Sequence, residues 1–521
     1  MSVGPRRGGA APWSAETAAV ALIVVTAGLR VLIAWGVGLC YGESYYFSCA
    51  RHPSLGYFDH PPLAVLLGRA GLETVGEVGR LALRWPFITL FAGTTWLMFA
   101  IGRALFGPWP GFYAALLLNL APVFSLSVGI IFQPDGPLML FWLACTWCLL
   151  HVLVDPEPRR PYLWWIGAGG AMGLAMLSKY SAILLAVGVA LYVLGRREQR
   201  HWIRHPAPYA AFVVAVLVFS PVLVWNARHG WISFVWQGGR GLEFRGLHLD
   251  WLIHNIFGQS LELLPWIWAG LVLELYRCLR RPPTSAYRLV GWLSVTPIAL
   301  FTLVAAYAPI GDHFHWPDPG YLLLFAPLGA AVHRYLQGKP ARPRWPLASL
   351  AVVSVLLMAV AVTHTATGWL VRIAPAWLAS RPDGTVECTD WALLEPALRA
   401  RGLLGRSDTF IFSDRWHRSG KVDYALGGTM SVLAMNPTDP RSFAFFDSTE
   451  RWLGKDGVLV TTKDNPREIA AEYAPYFARF TPIGDVPVVR GGRRVDWLHL
   501  YHGENLLRPY PSPYGHAHAT R

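Results

Sequence analysis

Apolar segments of about 20 residues recur through the first two-thirds of the chain. A helix of about 20 residues spans the hydrocarbon core of a bilayer. Eleven segments come close enough to this length to be read as spans: 16–38, 83–105, 110–128, 135–154, 162–178, 181–195, 208–226, 252–276, 289–308, 318–336 and 346–366. The pattern predicts an α-helical polytopic membrane domain over 16–370, with a preceding segment 1–15 and a first loop at 39–82. Several segments are short or contain Gly and Pro, which leaves a count one higher or lower open.

The basic residues alternate between the two sides of these spans. If residues 1–15 are cytoplasmic, every segment on that side carries Arg or Lys, which is the positive-inside pattern. The basic segments contain Arg6 and Arg7, Arg103, Arg159 and Arg160, and residues 196–204, 277–288 and 334–344. The first loop and the segments 227–251 and 312–317 are then predicted to lie on the outer face.

Beyond the last span the pattern changes to short alternating strands and helices. Helices are predicted at 389–404, 415–426 and 466–477, and strands at 408–414, 431–435, 442–447 and 457–462. Such alternation is typical of a small α/β domain, here predicted over 380–505 on the outer face. The tail 506–521, with Pro, Gly and His, is predicted to be disordered.

Composition supports a membrane protein and argues against a soluble protein and against a nucleic-acid-binding protein. The chain is 54% hydrophobic and 15% charged, against about 25% charged residues in soluble domains. The net charge of +13 is accounted for largely by the basic loops, so no nucleic-acid partner is predicted. The six cysteines show no disulfide or zinc spacing; Cys145 and Cys148 lie in an apolar span and are expected to pack there.

The first outer loop concentrates ionisable residues beside the membrane. It carries Glu43, Arg51, Asp59 and His60 among several aromatic residues. Ionisable groups are costly near lipid and tend to be kept for function, and the two prolines after His60 stiffen the backbone. Glu43 or Asp59 is therefore a candidate general base. From composition alone, solvated acids that cap short interfacial helices are an equally good interpretation.

Three further groups of polar residues are predicted on the same face. Asp135 opens a span, where it can cap the helix or serve the site. Lys179 ends a span and is predicted to bind phosphate, with snorkelling to the interface as the alternative.

Arg240 and Arg245 lie in an aromatic outer loop, where phosphate or sugar contact and simple solvation are equally plausible interpretations. His313, His315 and Trp316 precede a later span. A divalent metal ion is left open as a cofactor, with Asp135, His313 and His315 as weak candidate ligands.

Four motifs in order resemble a known group of enzymes. They are Glu43-Ser44-Tyr45-Tyr46 with the later Gly56–Leu63, Gln133–Leu138, Leu177–Ser181 and His315–Tyr321. Together they resemble the bacterial protein-mannosyltransferase-like and aminoarabinose-transferase-like glycosyltransferases, which have the GT-C fold. The resemblance covers residues 16–340.

This resemblance implies a polyprenyl-phosphate-linked sugar donor and an acceptor hydroxyl on lipid A, a glycan, a protein or a lipid. Transfer would invert the anomeric carbon at the outer face of a bacterial inner membrane, among membrane lipids. The acids would supply the base, and Lys179 with neighbouring arginines would hold the phosphate. The residues predicted to bind the donor are Arg51, His60, Tyr45, Tyr46, Tyr57, Lys179, Arg240, Arg245, His315 and Trp316.

The chain departs from the family pattern at Gly42, where the family usually has an Asp. We rank Glu43 first as the base, then Asp59, with Asp135 as a further candidate. Two other functions stay open. A transporter of lipid-linked sugars would be expected to carry charges near the bilayer midplane and internal repeats. A catalytically silent relative that binds glycans is kept open by the missing Asp.

Overall fold

The computed structural model of the protein describes residues 13–308, 313–338, 343–375 and 381–514, apart from the side chains of 241 and 242. A helix bundle forms the first part. Its helices are α1 (Ala15–Gly36), α2 (Tyr41–Arg51), α3 (Leu63–Val75), α4 (Arg80–Phe106), α5 (Pro108–Leu120), α6 (Asp135–Leu153), α7 (Pro161–Ser178), α8 (Ile183–Gly195), α9 (Pro206–Arg228), α10 (Ile232–Leu242), α11 (Leu249–Leu263), α12 (Pro265–Arg280), α13 (Ser285–Val304), α14 (Asp318–Leu336), α15 (Trp345–Thr367) and α16 (Trp369–Ile373).

Each predicted span lies on helical structure. Among the described residues, six helices are long and apolar enough to cross a membrane alone, and two bent helix pairs raise that number to eight. The predicted single span 252–276 is wrong as a straight helix, because α11 and α12 meet at 109°. The break falls at Leu264, which has φ 69°, and Pro265 starts α12. Proline lacks the N–H that a continuous helix needs, but is well suited to a first turn.

The first outer loop is packed into the protein. Helix α2 is buried from Glu43 to Ala50, and Asp59 is only 1% exposed. The interpretation of these acids as solvated loop residues is therefore wrong. The loop packs between the helix bundle and the C-terminal domain.

The C-terminal part is an α/β domain built on one five-stranded sheet. Its strands are β1 (Thr409–Ser413), β2 (Val432–Ala434), β3 (Asp456–Thr461), β4 (Phe477–Arg490) and β5 (Arg493–Leu506), and its helices are α17 (Leu394–Ala400), α18 (Trp416–Ala425) and α19 (Pro466–Tyr473). The strand order is β2-β1-β3-β5-β4. β1 pairs in parallel with β2 and β3, whereas β5 pairs antiparallel with β3 and β4.

Several predictions for this domain need correction. The strand expected at 442–447 is instead a 3-10 helix, Arg441–Phe445, followed by irregular chain. The long hairpin of β4 and β5 was missed, because its burial does not alternate regularly. Its turn uses Gly491 and Gly492, both with positive φ, as a two-residue hairpin turn favours. The helix expected at 389–404 shortens to α17.

The start of the tail is ordered against the site region. The Tyr510 N–H donates to Thr449 Oγ1, and the Tyr514 ring stacks on Phe58 with centroids 4.5 Å apart. The prediction of disorder is wrong for residues 506–514, since Leu506 ends β5 and the Leu507 N–H donates to the Tyr476 carbonyl. Residues 515–521 lie outside the described residues.

The C-terminal domain docks on the first outer loop through α18 and α2. Gly420 lies so close to α2 that a Cβ there would stand 2.6 Å from the Tyr45 nitrogen, a contact that only glycine permits. Asp423 forms an ion pair with Arg51. The Lys421 ammonium donates to the Leu39 and Thr389 carbonyls, and burial lowers the pKa of Lys421 to about 8.

A disulfide joins the same two parts. Cys40, at the start of α2, is bonded to Cys388, which lies 348 residues later. The sequence showed no disulfide spacing, since pairing over such a separation leaves no local pattern to recognise. Four cysteines are free: Cys49, Cys145, Cys148 and Cys278.

Thiol counting tests this bond. The denatured protein should take up a maleimide at the four free cysteines before reduction and at all six after it. Cys388→Ser should add one reactive thiol without reduction and lower stability by about 2–5 kcal/mol, read as a lower Tm. Cys148→Ser is the control. Six reactive thiols without reduction would contradict the bond.

Candidate active site

The candidate site lies where five chain segments meet beneath the C-terminal domain. These are the loop after α2, the start of α6, the end of α7, the segment before α14, and the corner at Arg441 and Ser442. The first four segments end at the same side of the helix bundle. This convergence agrees with the alternation inferred from the basic loops.

Glu43 is held in a buried ion pair. The Arg84 guanidinium donates from Nε to Glu43 Oε1 at 2.7 Å and from Nη2 to Oε2 at 2.5 Å. The Cys40 and Phe132 backbone N–H groups also donate to this carboxylate, and Glu43 is 0% exposed. With both oxygens engaged by a guanidinium and by backbone N–H groups, this geometry favours a structural role for Glu43 over its first-ranked role as a base.

Asp59 lies at the meeting of the first loop and the C-terminal domain. The Tyr45 hydroxyl donates to its Oδ1 at 2.8 Å, and Arg441 Nη1 donates to its Oδ2 at 3.0 Å. Burial raises the pKa of Tyr45 well above its usual value, so this phenol is a neutral donor. The Asp59 backbone carbonyl accepts from Gln237 Nε2 at 2.6 Å, which ties the loop to α10.

Asp135 and Lys179 form a third ion pair. The ammonium of Lys179 lies 2.9 and 3.0 Å from the two carboxylate oxygens. Pro134 leads into α6 directly before Asp135, and Lys179 ends α7. The two helix ends therefore fix one cation at the edge of the bundle.

Two histidines beside this pair are neutral near pH 7. Burial lowers the pKa of His60 to about 4, where Asp59 acts to raise it and Lys179 to lower it. Burial and then Lys179 lower the pKa of His315 to about 3, although Asp135 opposes this. His60 Nδ1 is buried without a hydrogen-bond partner among the described residues, so a substrate could supply that partner.

Aromatic rings and two arginines line the other side of Asp59. Arg240 stacks on Trp236 and Trp316 at 4.8 and 4.9 Å from the ring centroids. Arg441 stacks on Trp416 at 3.7 Å and approaches Trp236 at 5.4 Å. Burial and the charge of Arg441 lower the pKa of Arg240. Two stacked guanidiniums so close together favour an anionic ligand.

Three of the residues predicted to bind the donor make other contacts in the structure. Arg51 pairs with Asp423 at the domain interface. Arg245 is exposed and pairs with Glu243 at 2.6 Å. The Tyr57 hydroxyl bonds the Cys49 and His52 carbonyls and holds the loop together.

Tyr46 does lie at the site. Its ring is edge-on to the His60 ring, with the two centroids 5.9 Å apart.

The candidate metal ligands do not form a metal-binding cluster within the described residues. Within the described part of the chain, Asp135, His313 and His315 bring no set of three ligand atoms within 4.8 Å of one another. Both Asp135 oxygens contact Lys179, and His313 Nε2 lies 2.8 Å from Arg240 Nη2. These residues do not fit a metal ion, and we assign no chemical step to one.

The sequence analysis missed several residues of the site. Arg441 and Ser442 were placed in or beside a strand, and no local pattern links them to Asp59 about 380 positions earlier. Trp236 and Trp416 were not singled out among many aromatic residues. Arg84 could have been predicted to form a buried ion pair, because a lone Arg at the edge of an apolar span needs a partner.

Comparison with known proteins supports the resemblance seen in the sequence. Residues 59–225 match the family described as dolichyl-phosphate-mannose-protein mannosyltransferase. The lipid A galacturonosyltransferase RgtD of Rhizobium johnstonii is 26% identical over 295 residues, which cover 54% of this chain and 58% of the relative. The match therefore spans little more than half of that relative's length.

Solved structures show the same fold. ArnT from Cupriavidus metallidurans has a TM-score of 0.58 with undecaprenyl phosphate bound, at 16% identity over 93% of this chain and 97% of ArnT. Its apo state gives 0.60 over 94% and 98%. The oligosaccharyltransferase AglB from Archaeoglobus fulgidus gives 0.51, at 12% identity over 90% and 73%. The family resemblance seen in the sequence is confirmed, and the chain shares its fold with ArnT and AglB.

A Glu43→Gln variant should separate structure from chemistry. Removing one partner of a buried ion pair leaves an uncompensated charge and costs about 3–5 kcal/mol. We expect a clear fall in Tm measured by thermal unfolding, and a smaller yield of folded protein. A variant with unchanged Tm and abolished transfer would instead support Glu43 as the base.

Proposed function

We propose that this chain, a relative of the aminoarabinose-transferase-like glycosyltransferases, moves a sugar from a polyprenyl-phosphate donor to an acceptor hydroxyl. One observation carries the proposal: a buried carboxylate, Asp59, and a fixed cation, Lys179, lie at the same end of an apolar helix bundle. RgtD is named for lipid A and galacturonic acid, and ArnT binds undecaprenyl phosphate. We infer a similar lipid-linked donor and a lipid A type acceptor here.

The donor phosphate is proposed to bind Lys179, His60 and Arg240. Asp135 holds Lys179 in place through both carboxylate oxygens. No carboxylate of the described residues lies within 4.0 Å of Arg240, so its charge is available to an oxyanion. The polyprenyl tail would lie along the apolar helices, where exposed Leu and Val side chains are common.

The reaction is a single displacement. The acceptor oxygen forms a bond to the anomeric carbon while the bond from that carbon to the phosphate oxygen breaks, which inverts the carbon. The acceptor proton moves to the Asp59 carboxylate, and polyprenyl phosphate leaves. Fixed cations that face the leaving phosphate stabilise its growing charge in the transition state.

Asp59 is preferred as the base over the other two acids. Glu43 accepts from Arg84 and two backbone N–H groups. Asp135 is paired through both oxygens with Lys179. Within the described residues, Asp59 Oδ1 accepts one hydrogen bond, from the neutral Tyr45 hydroxyl, which leaves lone pairs for the acceptor. Gly42, where the family has an acid, has open space around it, so packing does not require the glycine.

The outer face of a bacterial inner membrane is the proposed location. The disulfide between Cys40 and Cys388 joins the first loop to the C-terminal domain. Disulfides persist in oxidising compartments such as the periplasm. This supports the orientation inferred from the basic loops, with the site on the periplasmic side.

An Asp59→Asn variant tests the base. Transfer of labelled sugar from a polyprenyl-phosphate donor to lipid A, measured per folded protein, should fall about 10²–10⁴-fold. Tm should fall as well, because Asn keeps the bond from Tyr45 but leaves Arg441 without its carboxylate partner. Wild-type rates in this variant would contradict the role of Asp59. No turnover by the wild-type protein with any donor would favour the silent relative.

Lys179→Met tests the leaving-group cation. We expect transfer to fall about 10²–10³-fold, and Lys179→Arg to recover part of the loss. The half-buried Lys455, which packs over the Trp452 ring in the C-terminal domain, is replaced in Lys455→Met as the matched control and should keep the wild-type rate. Equal rates for Lys179→Met and Lys455→Met would remove Lys179 from the mechanism.

A further inference from the structure

A corner of the C-terminal domain reaches the proposed base. Arg441 begins the 3-10 helix after Pro440 and has φ 49°, a left-handed conformation that non-glycine residues seldom adopt. Strained conformations of this kind persist where the surroundings hold them, often at functional sites. This corner lies in a different part of the chain from the segment that matches the family profile.

We propose that Arg441 and Ser442 are positioning residues which complete the active site by fixing the carboxylate of Asp59. The proposal rests on the proposed function, in which Asp59 takes the acceptor proton. It gives the C-terminal domain a direct part in the reaction, beyond covering the site.

The contacts fix both sides of the carboxylate. Arg441 Nη1 lies 3.0 Å from Asp59 Oδ2. Ser442 Oγ lies 2.7 Å from the Tyr45 hydroxyl, which is bonded to Asp59 Oδ1. Ser442 Oγ also accepts from the Phe58 backbone N–H at 3.2 Å. The two adjacent residues thus hold the carboxylate, its phenol donor and the backbone directly before it.

The Arg441 guanidinium is itself held in place by two tryptophan rings. Trp416 lies beneath it at 3.7 Å, and Trp236 approaches it at 5.4 Å. Its Nε is buried and has no hydrogen-bond partner among the described residues, although Asp439 lies 3.7 Å away. The geometry thus directs Nη1 at Asp59, while Nε forms only the long ion pair with Asp439.

Other contacts already hold the two parts together. They include the disulfide, the pair of Arg51 with Asp423, and the pair of Arg80 with Asp390 at 2.6 Å. Loss of the Arg441 side chain should therefore leave the domain docked. This separates a positioning role from a merely structural one.

Asp59 faces several titratable and charged groups on the elements around it. They are Tyr45, Tyr46, Cys49, His60, Tyr180, Arg240, Arg441 and Tyr514. Of these, only Arg441 forms an ion pair with the carboxylate within the described residues. Removal of the Arg441 side chain should therefore loosen the orientation of the Asp59 carboxylate.

The test compares Arg441→Gln, Arg441→Lys and Arg441→Gly with Arg80→Gln as the matched control from another domain-joining ion pair. Using the full-length protein, we expect kcat/KM for transfer, measured per folded protein, to fall about 100-fold in Arg441→Gln. Tm should fall more than in Arg80→Gln, because Asp59 is more deeply buried than Asp390. Arg441→Lys should recover part of the rate, and guanidinium ion should partly restore Arg441→Gly. Arg80→Gln should keep the wild-type rate.

A second measurement does not depend on turnover. Amide hydrogen exchange of the peptide that contains Asp59 should speed up in Arg441→Gln and stay unchanged in Arg80→Gln. Wild-type kcat/KM in Arg441→Gln, or equal exchange in the two variants, would overturn the proposal. If the wild-type protein transfers no sugar but exchange still rises only in Arg441→Gln, the proposed function fails and the positioning role stands.

Discussion

The buried pair of Glu43 and Arg84 is the interaction on which the site's architecture depends. Arg84, on α4, also donates to the carbonyls of Ala34, Val37 and Gly38 at the end of α1. Glu43 accepts the N–H of Phe132, just before α6. One ion pair therefore joins α1, α2, α4 and the turn into α6. Charges this deeply buried are tolerated only when fully bonded, which confines α2 to one position against the bundle.

The second constraint is electrostatic balance around the proposed reaction centre. Asp59 faces Arg441 and Asp135 faces Lys179, while burial keeps His60 and His315 neutral because their pKa values fall to about 4 and about 3. Arg240 adds a positive charge that stacks between Trp236 and Trp316. The pairs fix geometry, and the additional cation suits a phosphate that arrives with its own charge.

The sequence predicted what depends on local pattern. Apolar length located the helices, and the motifs around Asp59, Asp135 and Lys179 identified residues that the fold brings to one end of the bundle. Pairings across distant parts of the chain left no such trace. Cys388, Arg441 and Ser442 lie more than 300 positions from their partners, and Glu43 looked catalytic because Arg84 was not recognised as its partner. The bend at Pro265 was hidden by apolar residues on both sides of it.

The corner at Arg441 has a consequence for exchanging parts between related proteins. The segment that matches the family, residues 59–225, contains the carboxylate, whereas its guanidinium partner belongs to a domain encoded more than 200 residues later. A chimera that takes its helices from one relative and its C-terminal domain from another would preserve every motif of the matched segment. It would nevertheless join two halves of an ion pair that had not been selected together. The unit that can be exchanged intact is therefore larger than the unit that carries the recognisable motifs.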